Sequence, residues 1–185
     1  MPANEKDNQL IDALRRGKPE ARRALYEQYY RYLAAVCARY VRSDEDVRDL
    51  LQDVFIRIFT RIDGFENRGS GSLRAWCRKI AVNEALQRLR SSKRMPLTSI
   101  EETGDLPVPD ETPEVDTIPQ QELLGMVRRL PDRYRSVFNL YIFEELSHKE
   151  ISGLLGITES TSASDLHRAK ALLTKWIREY NSKRS

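Results

Sequence analysis

A chain of 185 residues with 40% hydrophobic and 32% charged side chains can bury one or two cores, and only eight glycines and eight prolines interrupt it, a balance that favours helices. Residues 96–121 hold seven acids and no Lys or Arg, so the rest of the chain sets all 31 bases against 21 of the 28 acids, which suits a polyanionic partner or a pair of solvated basic surfaces. Cys37 and Cys77 lack a second cysteine or a histidine at ligand spacing, which excludes a zinc site and reads as buried reduced thiols. No apolar run approaches the roughly 20 residues of a membrane span and no signal peptide is evident, so a cytoplasmic protein is expected.

After a polar start expected to fray over residues 1–7, Leu10, Ile11 and Leu14 predict a short amphipathic helix ending near Gly17. Pro19 suits a first helical turn, and Ala21, Leu25, Tyr29, Leu33, Val36, Cys37 and Tyr40 keep helical spacing beyond it. The tyrosines of this element, Tyr26, Tyr29, Tyr30 and Tyr32, suit core and rim packing, with stacking on bases as the alternative.

Ser43 caps the next helix, whose Val47, Leu50, Leu51, Val54, Phe55 and Ile58 form one stripe. Arg48, Asp49, Gln52 and Asp53 lie opposite, either as a solvated face or as a surface receiving Arg or Lys from a partner. Asp63-Gly64-Phe65 closes the helix, and the polar loop 66–72 (ENRGSGS) lacks the lysine of a P-loop. Helix character resumes at Leu73, with Trp76, Ile80, Ala81, Ala85 and Leu89 expected on the buried side. Arg74, Arg78, Lys79, Arg88, Arg90, Lys93 and Arg94, against Glu84 alone, make a segment suited to neutralising phosphates.

From Met95 to Gln120 five prolines and seven acids describe an extended linker without a core. Leu123, Leu124, Val127 and Leu130 start a helix that Leu130-Pro131 breaks, and Tyr134, Val137, Phe138, Leu140, Tyr141 and Phe143 carry the next. Leu146–Lys170 is the most telling stretch. Ser147 and Glu150 have the spacing of a capping box, Ile151, Leu154 and Leu155 share a face, and Gly156 ends the helix in a left-handed turn. Ile157 plugs the turn, and Thr158 caps a last helix through Leu166, Ala169, Leu172, Leu173, Trp176, Ile177 and Tyr180. This is the layout of a helix-turn-helix, or of an ordinary helical hairpin. No alternating strand pattern occurs. The expected fold is all-α: two small helical domains joined by an extended acidic linker, the C-terminal one a helix-turn-helix, with boundaries at 1–95, 96–120 and 121–185.

The order of these parts resembles the extracytoplasmic-function sigma factors, group IV of the sigma-70 family. DVRDLLQDVFIRIF (46–59) is similar to the family's docking helix for core RNA polymerase, LRAWCRKIAVNEALQRLR (73–90) to its helix that opens the promoter −10 element, and residues 130–173 to its −35-reading domain. The resemblance implies that Asp46, Asp49, Gln52, Asp53 and Phe55 grip the clamp helices of the largest polymerase subunit. It makes loop 66–72 the captor of a flipped −10 base, through Asn67 and Ser70, and sets Arg74, Arg78, Lys79, Asn83 and Arg88 on −10 DNA, with Trp76 in the core. The linker would thread toward the active-site cleft and RNA exit path. At the recognition helix the chain departs from the family, reading Ser160, Ser162, Ala163 and Asp165 where a glycine and then basic residues are usual. Arginine readout of guanine is thus poorly supplied. Ser160, Thr161, Ala163, Ser164 and His167 are the expected −35 contacts, with Arg168 and Lys170 on phosphates. Asp165 either accepts from a cytosine amino group or caps and repels.

The function implied is a sigma factor that binds core RNA polymerase, directs it to promoters through −35 and −10 elements, and promotes melting. Its expected partners are the clamp helices, the flap of the second-largest subunit, promoter DNA and an anti-sigma factor, without membrane insertion, in a cytoplasm where polymerase tethers it to the nucleoid. No enzyme chemistry, cofactor or metal is expected: there are two histidines, His148 and His167, and no metal, P-loop or nucleophile-elbow motif. The alternative is a stand-alone helix-turn-helix regulator binding operator DNA as a dimer. A third reading, an adaptor that does not bind DNA, leaves the basic 74–94 segment unexplained.

Overall fold

The computed structural model describes residues 3–91 and 113–183, and every regular element among them is helical. The chain divides into two compact units, Met1–Arg88 and Leu89–Ser185.

The first unit holds α1 (Ala3–Arg15), α2 (Pro19–Ala38), α3 (Asp44–Arg61), a 3-10 turn at Ile62–Gly64, and α4 (Ser72–Ser91), whose last residues fall in the second unit. From Ala3 onward the polar start is helical, contrary to the fraying expected of it. Glu5 in the first turn complements the helix dipole, and buried Ile11 and Leu14 anchor the far end. Gly17 turns the chain at φ +70°, where a Cβ would be strained, and Pro19 opens α2. At the head of α3 the Ser43 hydroxyl accepts from the Asp46 amide (3.1 Å) and donates to the Asp46 carboxylate (2.7 Å), a reciprocal cap. The predicted apolar stripe of α3 is buried from Val47 to Ile58, and α3 packs on α2, which in turn carries α1. Helix α4 is buried on more than one side, since Leu73, Cys77, Ile80, Ala81, Val82, Ala85 and Leu86 are all covered. Its exposed residues include a narrow stripe at i+4 spacing, Ala75, Lys79, Asn83 and Gln87.

The second unit contains α5 (Gln120–Arg129), α6 (Asp132–Ile142), α7 (His148–Leu155) and α8 (Glu159–Ser182). Helices α6 and α7 pack on α8, and α5 touches it at one end. The expectation of a coreless linker up to Gln120 fails at its C-terminal end. Ile118 is 6% exposed and packs among Met126, Leu130, Tyr134, Ala169, Leu173 and Ile177, and Asn181 Nδ2 donates to the Glu114 carbonyl at 2.9 Å. The bulk of the linker, together with Lys93 and Arg94, lies outside the described residues.

Leu130 stands extended before Pro131, as the proline ring requires. The carbonyls that this break orphans are met by Arg135 of α6, whose Nη1 donates to the oxygens of Arg128 and Leu130, each at 3.0 Å, while Nη2 pairs with Asp132. A buried cation thus closes the C-terminus of α5.

Candidate functional site

Local chemistry sets the helix-turn-helix. The Ser147–Glu150 capping box is formed, Gly156 ends α7 at φ 69°, and the Thr158 hydroxyl accepts from the Thr161 amide at 3.0 Å to start α8. The Glu150 carboxyl lies below the usual carboxylate range because the Ser147 hydroxyl, then the Ser147 amide, donates to it. Cross-helix contacts then fix the rotation of α8. Asp165 is 1% exposed and receives a two-pronged pair from Arg133 of α6, Nε to Oδ2 at 2.6 Å and Nη2 to Oδ1 at 3.0 Å. Ser162 is fully buried, its hydroxyl 2.9 Å from His148 Nδ1, and the His148 ring stacks on Tyr141 at 4.9 Å. Neither alternative raised for Asp165 holds, because its carboxylate is consumed inside the unit.

With Ser162 and Asp165 turned inward, Ser160, Ala163, Ser164, His167 and Lys170 remain exposed. They fall at i, i+3, i+4, i+7 and i+10, one face about 15 Å long at 1.5 Å per residue. Two hydroxyls, a methyl, an imidazole and an ammonium line it. A methyl suits the thymine C5 group, hydroxyls suit either partner of a base pair, and a cation suits phosphate. Lys170 also lies 5.8 Å over the Tyr141 ring. Two predicted −35 residues sit differently: the Thr161 hydroxyl meets that of Thr158 at 2.8 Å, and half-buried Arg168 donates to the Tyr134 hydroxyl at 3.3 Å.

In the first unit, Asp49, Gln52 and Asp53 are exposed along α3, as their spacing predicted, and Arg48 flanks them. Asp46 is half-buried, and Phe55 lies beneath the ridge, 5% exposed, its ring 4.7 Å from Tyr26 and 6.1 Å from Phe59. Phe55 therefore supports the ridge from within. Sequence reasoning missed Ile56 (54% exposed), which continues the ridge, while Tyr26 (44%) and Tyr30 (36%), expected as core and rim packing, stand beside one another at the rim on α2. Ile56 lies seven, four and three residues after Asp49, Gln52 and Asp53, so helical spacing already sets it on their face.

The predicted −10 residues are split into groups. Lys79 and Asn83 share the exposed stripe of α4 with Gln87, and Arg90 is exposed beyond it. Arg74 is exposed but its guanidinium lies 4.0 Å over the Tyr32 ring, and Arg78 is half-buried. Arg88 reaches the α3 carboxylates: Nη2 is 3.4 Å from Asp49 and 3.6 Å from Asp46, and Nη1 is 3.9 Å from Asp53. In the loop, Asn67 organises the backbone. Its Oδ1 accepts from the Gly69 amide (3.0 Å) and the Ser72 hydroxyl (2.7 Å), and its Nδ2 donates to Asn8 Oδ1 (2.6 Å). Gly69 and Gly71 take φ +119° and +82°, values closed to most side chains. Ser70 is exposed at the tip, and Trp76 rests on Phe65 at 5.0 Å.

Comparison with known proteins follows the same two units. The family described as Sigma-70 region 2 matches residues 25–95, and the family described as Sigma-70, region 4 matches residues 120–173. The chain is 31% identical over 155 residues to the RNA polymerase sigma factor YlaC of Bacillus subtilis (strain 168), across 82% of this chain and 88% of that protein. It is 30% identical over 176 residues to the ECF RNA polymerase sigma-E factor of Escherichia coli (strain K12), across 89% and 90%. A solved structure described as CnrH in complex with the cytosolic domain of CnrY aligns over 94% of this chain and 97% of that chain, at 20% identity and a TM-score of 0.49.

Proposed function

This chain belongs to the sigma-70 family as an extracytoplasmic-function sigma factor, and from that premise we propose how its surfaces divide the work. It recognises promoters and binds core RNA polymerase in the cytoplasm; the family is one of initiation factors, not enzymes. Among the described residues no helix is long and apolar enough to cross a membrane. Nothing favours the stand-alone operator-binding regulator.

In the proposed division, residues 1–95 dock on polymerase and open the −10 element, 96–120 link, and 121–185 read the −35 element. Docking runs through Asp49, Gln52 and Asp53 to the clamp helices of the largest subunit, with Ile56, Tyr26 and Tyr30 as apolar border. Lys79 and Asn83 meet the −10 DNA along the α4 stripe, with Arg74 and Arg78 beside them and Ser70 at the loop tip facing the flipped base. On α8, Ser160, Ala163, Ser164 and His167 meet −35 bases, and Lys170 and Arg168 meet phosphate. Tyr141, Ile142, Phe143 and Leu154, each 37–42% exposed, are apolar side chains suited to the flap of the second-largest subunit. The linker runs toward the active-site cleft, where its acids would yield to nascent RNA. An anti-sigma factor covering both units is expected from the family resemblance, and co-purification from cells would identify it.

One observation carries the −35 reading: the continuous exposed face of α8, whose two inward-turned polar residues are both satisfied by α6 and α7. The test is transcription in vitro with purified core enzyme on templates from genes induced by overexpression. Promoter-dependent RNA is expected, lost when the −35 sequence is scrambled. RNA that persists on the scrambled template would reject the assignment.

A further inference from the structure

Arg88 sits on the basic helix but turns away from its exposed stripe. Its guanidinium lies within 4 Å of three carboxylates on α3, those of Asp46, Asp49 and Asp53. Carboxylates at i, i+3 and i+7 on one helix repel one another, and a guanidinium offers five donors in a fork that can serve several oxygens at once. On the same pair of helices the exchange also runs the other way. Arg57 of α3 donates from Nε to Glu84 of α4 at 2.9 Å, with Glu84 only 15% exposed. The two sets of contacts stitch α3 to α4 and insert a cation of α4 into the acidic ridge of α3.

We propose that Arg88 is a positioning residue of the polymerase-docking ridge, its internal counter-ion, and not a contact to −10 DNA. This rests on the reading of that ridge as the docking surface. In the free chain Arg88 holds the three carboxylates in place and cancels part of their charge. A partner cation approaching Asp49 and Asp53, each 60% exposed, competes for the same oxygens. Arg88 is one-third exposed, and ion pairs with this much water around them are weak, so one cation exchanges readily for another. Removing Arg88 makes the ridge more negative by one charge, which strengthens long-range attraction of a cationic partner and its sensitivity to salt.

The experiment measures association of the full-length chain with core enzyme at low and near-physiological salt. Arg88→Ala is expected to associate about two- to tenfold faster at low salt, with a steeper fall as salt rises. Arg88→Lys, which keeps the charge, should return the salt dependence to that of the parent. Unchanged association and salt dependence in Arg88→Ala, with reduced permanganate reactivity at the −10 element, would make Arg88 a DNA contact and overturn the proposal. Unchanged behaviour in both readouts would overturn it too. Asp53→Asn reports on the docking reading separately: if it leaves core affinity intact, the ridge is not the docking surface and both readings fall. Should Arg88→Ala not fold, Arg88→Gln against Arg88→Lys gives the same comparison.

Discussion

Asp165 shows what a single residue can conceal. A carboxylate on a recognition helix invites a role in base readout, yet this one is buried with Arg133 in a two-pronged pair. Removing one partner of such a pair leaves an uncompensated buried charge, at a cost of about 3–5 kcal/mol. Asp165→Ala should lower the stability of the second unit by that order, measured by denaturant unfolding with Trp176 fluorescence; an unchanged midpoint would show that the pair is dispensable. In the first unit, burial pushes the thiols of Cys37 and Cys77 from 9.0 up to about 12 and, as the largest influence, the Tyr29 hydroxyl from 10.0 to about 12. All three stay protonated in the fold and ionise more readily once unfolded. The folded state therefore keeps its full advantage below about pH 9 and loses it as pH climbs toward 12. At neutral pH, iodoacetamide should label neither cysteine in the native chain and both in denaturant, and unfolding midpoints should fall across the alkaline range.

Helices α3 and α8 each present one face whose members were visible in sequence and whose limits were not. On α3, replacing Gln52 and Asp53 together by Ala should weaken core binding by about 1–2 kcal/mol without loss of helicity. A pull-down with unchanged affinity, alongside an intact circular dichroism spectrum, would reject the ridge as a docking surface. On α8, Lys170→Ala should weaken −35 DNA binding evenly across sequences and lower the salt slope by about one unit. His167→Ala should instead change which −35 sequences are preferred. If both variants behave alike in a titration over several templates, the face is not divided between base and phosphate contacts. The cap residues of α3, α7 and α8 (Ser43, Ser147, Gly156, Thr158) were readable because capping acts over three or four residues. Helix α4 was less so. It is covered on several sides, so its basic residues, equivalent by composition, divide among a stripe, a tyrosine face and an acidic cluster.

At the scale of the whole molecule, the end of the acidic strap belongs to the second unit. A fragment beginning at Gln121 lacks Ile118 and should be less stable than one beginning at Pro113 by about 1.5–3 kcal/mol, the value of a buried isoleucine. Equal thermal midpoints for the two fragments would place Ile118 outside the core. The sequence alone determined the all-helical class, the order of the elements and the helix-turn-helix layout, because helix periodicity, caps, proline breaks and glycine turns are all local, and the family followed from the resemblance of three stretches and their order. It did not say which side chain on one helix meets which on another. Arg133 reaches Asp165 across 32 positions and Arg88 reaches Asp49 across 39, and Ile118 closes a core built mostly from helices that follow it. Spacing along a helix assigns a residue to a face, but only packing decides whether that face is covered. That is why the tertiary structure turned Asp165 inward and drew Arg88 to the carboxylates.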